Sequence, residues 1–436
     1  MLARLRIAWM RVRDSLWFIP GVLTLCAAVA AIAITAAEHR SYVPARLTDS
    51  WAFGGGVEGA RGVLNAIAGG LITVTGVVFS VTIVALQLAS SQFTPRILRN
   101  FTADRANQLV LGVFIATFTY TLLVLRTVQS AQGEQEPFVP RVAVTLAVVL
   151  VMVSIGFLIF FINHAARSIQ VSTILDRVAG QTRRNVERLF PEPVGDADPE
   201  RPPDPRRPDA PSAPVVSTRA GYLQSVDARA LFRLGRERSL VVGMEPHVGD
   251  FLLPGQALAR VWPPEGVDEG VRDAVRKAFV LGPERTPDQD VEFGIVEIAD
   301  IAVKALSPGI NDPTTAMHCV DRLGEILLAL GTRGAPPAER VEGRLHYIAR
   351  PATFARALGL AFGQVRHFGA GNPAVVKRIA DTLTGIAPLL PEAHRASVAA
   401  ELDRLLHAAR HDLDDPAEVA RVEAALARMR GGGPAA

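Results

Sequence analysis

Apolar positions are unevenly spread along this 436-residue chain. They gather into four runs, Leu16–Ala37, Val63–Leu88, Leu109–Leu125 and Val142–Ile162, after which polar and apolar residues mix to the C-terminus. A hydrocarbon core about 30 Å thick is crossed by about 20 helical residues. Three runs meet that length, and the third gains a turn from Ala106–Gln108. Thr35-Ala36-Ala37 is a poor cleavage site, so the first run reads as a span rather than a signal peptide. The pattern predicts an α-helical integral membrane protein with four transmembrane helices and a cytoplasmic α+β tail.

The tail begins with Ala165–Phe190, apolar and charged at helical spacing, an amphipathic stalk that closes a membrane domain over 1–190. Pro191–Pro214 holds nine prolines among charged residues. With almost nothing to bury, 191–218 reads as an extended linker that lets the two parts move independently. Ala220–Trp262 reads as strands, giving a small barrel-sandwich-like β-module over 219–264. Its Val248–Val261 stretch resembles half of a biotinyl or lipoyl carrier but lacks the lysine that such carriers modify.

Helical spacing then dominates 265–430. Helices are predicted near Asp290–Leu306, Pro313–Leu330, Pro337–Ile348, Ala352–Phe368, Pro373–Leu389, Glu392–Leu413 and Pro416–Met429, a short-connected bundle. Asp312-Pro313, Asn372-Pro373 and Asp415-Pro416 each set a side-chain acceptor at an N-cap and proline at the first helical position.

Charge adds topology. The net charge is only +3, which gives no footprint for nucleic acid. Arginine is retained on the cytoplasmic side of a span. Arg4, Arg6, Arg11, Arg13, Arg96, Arg99, Arg105, Arg167, Arg177, Arg183, Arg184 and Arg188 lie on one side, against Arg40, Arg46, Arg61, Arg126 and Arg141 on the other. Both termini are therefore predicted to be cytoplasmic.

Candidate chemistry is sparse. In the second span Gly69, Thr73, Gly76, Ser80, Gln87 and Ser91 recur three, four or seven apart and form one seam. Lipid satisfies none of these groups, so the seam should pack against protein or line a water-filled path. Thr75 and Thr82 lie opposite, each able to bond back to the carbonyl four residues earlier. No Lys, Arg, Asp or Glu lies within the second or fourth span, which argues against an ion-coupled transporter. His164 at the end of the fourth span is an interfacial histidine or a proton relay.

In the tail, the segment Ala305–Ala316 stops one helix with Ser-Pro-Gly and caps the next. Ser307, Asn311, Asp312, Thr314 and Thr315 form its candidate loop site, where exposed amides would hold an anion but Asp312 would repel it. His407, His411 and Asp415 share a helix face, which is a solvated face or part of a metal site. Cys26 and Cys319 read as small buried hydrophobes. GxxxxGK[ST], HExxH, GxSxG and CxxC are all absent, so no cofactor, resident metal or enzyme activity is expected.

The exit of the second span, Val84-Ala85-Leu86-Gln87-Leu88-Ala89-Ser90-Ser91-Gln92-Phe93-Thr94-Pro95-Arg96, and the segment Leu306-Ser307-Pro308-Gly309-Ile310-Asn311-Asp312-Pro313 carry a specific resemblance. Over about residues 10–410 the chain resembles the domain-of-unknown-function 2254 family of predicted bacterial membrane proteins. The resemblance implies the bacterial inner membrane and brings no catalytic residue with it. Two expectations follow: a homo-oligomeric channel-like or pore-type protein built on the seam, or a membrane-anchored sensor or scaffold whose tail binds a ligand or partner.

Overall fold

A computed structural model describes residues 15, 17–40, 53–92, 104–130, 138–168, 170–190, 208–334, 340–341 and 344–430. The chain divides into two compact units, 1–170 and 171–436. Linker residues 191–207 lie outside the described residues.

In the first unit, α1 (Phe18–His39), α2 (Val57–Gln92), α3 (Arg105–Thr127) and α4 (Arg141–Ser168) are each long and apolar enough to cross a bilayer. The hub is α3. Half of its apolar window is buried, against 17–22% for the others, and it packs on α1, α2 and α4. Its buried face, with Val110, Phe114, Tyr120 and Val124, meets Leu64 and Leu71 of α2 and Ala143 and Ala147 of α4 in one core.

Polar contacts at the helix ends fix how these helices meet. The Glu38 carboxylate accepts the Val142 and Ala143 amides at 2.8 and 3.0 Å. It thereby caps α4 from α1, meeting two of the helix's orphan donors and the positive end of its dipole. The Tyr120 hydroxyl donates to the Ala143 carbonyl at 3.1 Å, and Phe53 donates its amide to Thr145 Oγ1 at 2.8 Å. Cys319 is buried as expected, but Cys26 is exposed on α1, because the neighbouring helices cover the opposite face.

In the second unit, α5 (Val171–Leu189) corrects the stalk expectation. It packs on α8 (Val291–Ala305) and α9 (Pro313–Gly331), so the unit boundary falls at Gln170 and not at residue 190. Ile174, Leu175, Val178 and Val186 are its buried stripe. Gly294 of α8 permits the approach: a Cβ there would lie 1.8 Å from Thr182 Oγ1.

The β-module is larger than expected. It comprises β1 (Ala213–Val216), β2 (Gly221–Val226), α6 (Ala228–Arg238), β3 (Val241–Met244), β4 (Phe251–Leu252), β5 (Ala257–Trp262), α7 (Glu269–Ala278) and β6 (Phe279–Gly282). Residues 228–238, expected to be extended, form a helix because Asp227 caps it through the Ala230 amide and Leu231 and Gly235 repeat on its buried face. Short strands β7 (Arg340–Val341), β8 (Arg344–Leu345) and β9 (Tyr347–Ile348) replace the helix expected over Pro337–Ile348. Here β9 finds backbone partners in β3, pairing parallel to Val242 and Gly243.

One sheet runs β1-β5-β3-β9 and a second β4-β2-β6. Leu223, Val242, Val261, Val271 and Phe279 share the core between sheets and helices. Pro214 sits in the edge strand β1, where its missing donor breaks no ladder.

The bundle continues with α10 (Phe354–Gly369), α11 (Pro373–Ile386), α12 (Glu392–Asp412) and α13 (Pro416–Arg430). All three expected proline caps form. Asp312 accepts from the Thr315 amide, Asn372 from those of Ala374 and Val375, and Asp415 from that of Ala417.

Replacing Glu38 with alanine removes both hydrogen bonds at the start of α4. We expect a stability loss of roughly 1–2 kcal/mol, as for other lost caps, measured as a lower thermal midpoint of the detergent-solubilised chain; Glu38→Gln should fall between.

Candidate functional site

The residues singled out in the sequence divide sharply. Around Ser307–Thr315, local structure engages Ser307, Asn311, Asp312 and Thr315. Ser307 Oγ donates to the Lys304 carbonyl, and Asn311 takes a left-handed φ of 49°. Asp312 accepts the amide and hydroxyl of Thr315 at 3.0 and 2.5 Å, bonds that hold its carboxyl below the usual carboxylate range. Thr314 is exposed beside it. The carboxylate thus occupies the place an anion would take, so this segment is a turn and a cap.

The α2 seam faces outward. Gly69, Thr73, Gly76, Ser80 and Gln87 are exposed, while Leu64, Ile67, Leu71, Val78 and Ala85 are buried on the other side. Ser91 is helical, with its side chain outside the described residues. Thr75 and Thr82 bond back to the Leu71 and Val78 carbonyls as expected. Thr73 also bonds back, to the Gly69 carbonyl at 3.0 Å. Its hydroxyl therefore needs no partner helix, which the sequence reading had not foreseen.

His164 Nε2 lies 3.0 Å from Asp104 Oδ2, the residue that caps α3. Among the described residues no group of three or more His, Cys, Asp and Glu side chains is placed to hold a metal ion. His411 instead contacts Asp412 at 2.6 Å on an exposed surface.

A site that the sequence reading missed lies wholly inside the second unit. A cavity of about 220 Å³ opens between the end of α5, the β-module and the starts of α8 and α10, walled by Leu189, Phe190, Met244, His247, Val248, Gln289, Asp290, Glu292, Tyr347, Arg350 and Pro351 among others. Asp290, whose side chain is 1% exposed, is gripped by Arg285 through contacts of 2.7 and 2.9 Å and also caps α8 at the Phe293 amide. Glu292, 3% exposed, takes Arg356 Nε on both oxygens at 2.8 and 3.0 Å. Arg356 reaches on to Asp250 at 3.2 Å, and Asp250 accepts the His247 amide at 2.8 Å.

Gly249 makes this convergence possible. Its φ is +96° and a Cβ there would lie 2.2 Å from Asp290 Oδ2, so no other residue fits. Gln289 completes the wall by pairing its side-chain amide with both main-chain groups of Val226, as a neighbouring strand would.

The electrostatics follow from burial. Loss of water pushes the carboxyls of Asp290 and Glu292 up, and their arginine partners work against that shift. His247 is held below its ordinary value, first by burial and then by the positive charges of Arg350 and Arg356. Its Nδ1 is buried and makes no hydrogen bond among the described residues. The walls present no serine, threonine, cysteine or lysine, and both buried carboxylates are already engaged.

A pH dependence follows with a definite sign. Native His247 resists protonation, whereas the unfolded side chain takes up a proton near its ordinary value of 6.5. The stability it contributes is complete above that value and is lost as pH falls toward its lowered native value. Thermal unfolding between pH 7.5 and 5 should show a declining midpoint for the wild type and a shallower decline for His247→Gln.

Comparison with known proteins gives the family. Residues 13–385 match the family described as predicted membrane protein (DUF2254). Uncharacterised proteins from Mycobacterium bovis and Mycobacterium tuberculosis are each 33% identical to this chain over 409 residues, covering 91% of it and 78% of the relative. No solved structure matches the chain. With four bilayer-length helices and a family match over most of its length, the chain belongs to the DUF2254 family of predicted membrane proteins.

Proposed function

We propose that this protein is a membrane-anchored small-molecule sensor whose second unit is the binding domain. The observation that carries the reading is the cavity framed by Arg285–Asp290 and Glu292–Arg356. Ligand sites combine an apolar lining with a few fixed polar groups, and ionic frames of this kind keep the walls apart. The arginine asymmetry of the loops, twelve against five, supports a cytoplasmic position for the binding domain and both termini. The family match supports a bacterial inner membrane as the setting.

The test is direct. Small molecules released by heat from the purified full chain are identified by mass spectrometry in the wild type and in Ala349→Trp, which fills the cavity. A species retained by the wild type and missing from a folded Ala349→Trp protein is the expected result. Identical complements in both would defeat the reading.

One observation favours a second reading, a homo-oligomeric channel-like assembly. The small and polar residues of α2 point away from the core of their own unit, where a second copy would cover them. Cysteine placed at Gly76 in a Cys26→Ala background should then cross-link between copies in membranes, and Gly69→Leu should reduce the yield. Ion flux in proteoliposomes separates a pore from simple packing: unchanged conductance for a folded Ser80→Leu, Gln87→Leu protein removes both residues from any conducting path.

A further inference from the structure

We infer that the cavity takes an amphipathic monocarboxylate of about ten non-hydrogen atoms or more, a mainly apolar body with its acid group at Arg350. This rests on the ligand-binding reading above and specifies its chemistry. Size sets the first limit. At about 10–15 Å³ of such space for each water-sized group, a cavity of 220 Å³ holds a compact organic molecule and is too small for a nucleotide or a lipid with two chains.

The lining sets the second. Leu189, Met244, Val248, Tyr347 and Pro351 offer apolar surface, so the body of the ligand is hydrocarbon. Charge sets the third. Asp290 accepts three hydrogen bonds, two of them from Arg285, and both oxygens of Glu292 share Arg356 Nε, so each carboxylate's charge is already matched by a guanidinium.

Arg350 differs from Arg285 and Arg356. Its guanidinium donates to the main-chain carbonyl of Glu245 and, among the described residues, meets no carboxylate. The Glu245 side chain is itself turned to Arg260, 3.3 Å away. Arg350 is exposed; an arginine that lines a largely apolar cavity and has no acidic partner among the described residues fits a carboxylate bidentately, and the contact is charge-assisted. An amine in the same place would set a second positive charge beside the first. A free organic acid and a fatty acid shed by the membrane share the required chemistry.

The full chain in lipid nanodiscs is titrated calorimetrically with octanoate, 1-octanol and octylamine, with empty nanodiscs as reference; 3-phenylpropanoate separates a compact acid from a lipid-derived chain. Saturable binding of either acid is expected, with octylamine giving none. Arg350→Gln should weaken the acid by about tenfold or more, Arg350→Lys should recover part of the loss, and Ala349→Trp or Val248→Phe should abolish binding.

Equal affinity for octanoate and octanol, or an Arg350→Gln affinity within twofold of wild type, overturns the carboxylate assignment. If those probes still lose binding in the cavity-filling variants, the binding reading survives that result. Failure of every probe on the wild type also overturns the assignment, and the co-purification experiment then decides the binding reading separately.

Discussion

A carboxylate withdrawn from water must be met by a cation or by backbone amides, and the second unit is arranged around that requirement. Asp290, Glu292 and Glu401 have side chains no more than 3% exposed, and each is held by arginine, Glu401 by Arg366 and Arg404 together. Buried pairs of this kind roughly offset their own desolvation, so they are poor sources of stability. Their effect is geometric. Asp250 before β4, Glu292 at the start of α8 and Arg356 in the first turn of α10 come from distant parts of the sequence and are pinned together. Charged side chains so fixed cannot swing inward to fill the space beside them, which keeps the cavity open.

The membrane unit meets its polar groups differently. Hydroxyls on the spans are largely satisfied within their own helix, as Thr75, Thr82, Thr121 and Thr145 show by bonding to the carbonyl four residues earlier. Polar contacts between helices among the described residues include Glu38 at the start of α4, Tyr120 at the Ala143 carbonyl, Thr117 with Ser154 at 3.2 Å, and His164 with Asp104 at 3.0 Å. With Thr73 satisfied in the same local way, the outward seam of α2 is a surface of small residues first and a polar surface second. Small residues promote close helix approach whether or not water follows, which is why self-association and conduction are separate questions for this protein.

Features governed by local physics were readable in the sequence. The spans follow from run length, and Asp312, Asn372 and Asp415 announced their helices because a cap is decided within three residues. Features settled by distant partners were not. Tyr347–Ile348 is a strand because β3 offers it an unpaired edge, and α5 belongs to the second unit because Gly294, more than a hundred residues later, leaves room for Thr182. The cavity has the same origin. His247, Gln289 and Arg350 look like ordinary surface residues in sequence, and only the fold shows that they share a wall. Gly249 before Asp250 was the one local hint, since glycine ahead of a short strand marks a backbone held where a side chain will not fit.

The position of α5 decides how occupancy of the cavity would be felt elsewhere. This helix starts at Val171, close behind the end of α4 at Ser168, and finishes at Leu189, which together with Phe190 forms part of the cavity wall. A ligand shifts such an element only if it binds two of its arrangements unequally. The ion pairs that Asp176 and Arg183 make with Arg322 and Glu325 are solvent-exposed and hold the helix weakly. The contact of Thr182 with Gly294 is different, because a close-packed interface lacks the free volume to slide by small steps. At the far end Arg333 grips the Phe190 carbonyl at 3.1 Å, and Asn185 and Arg188 hold the carbonyls of Pro287 and Asp288 just ahead of α8. The approach of Thr182 to Gly294 is therefore the tighter of the attachments of α5. Asp290 caps α8 and Glu292 lies in its first turn, so the ionic frame of the cavity is built at the start of the helix against which α5 packs.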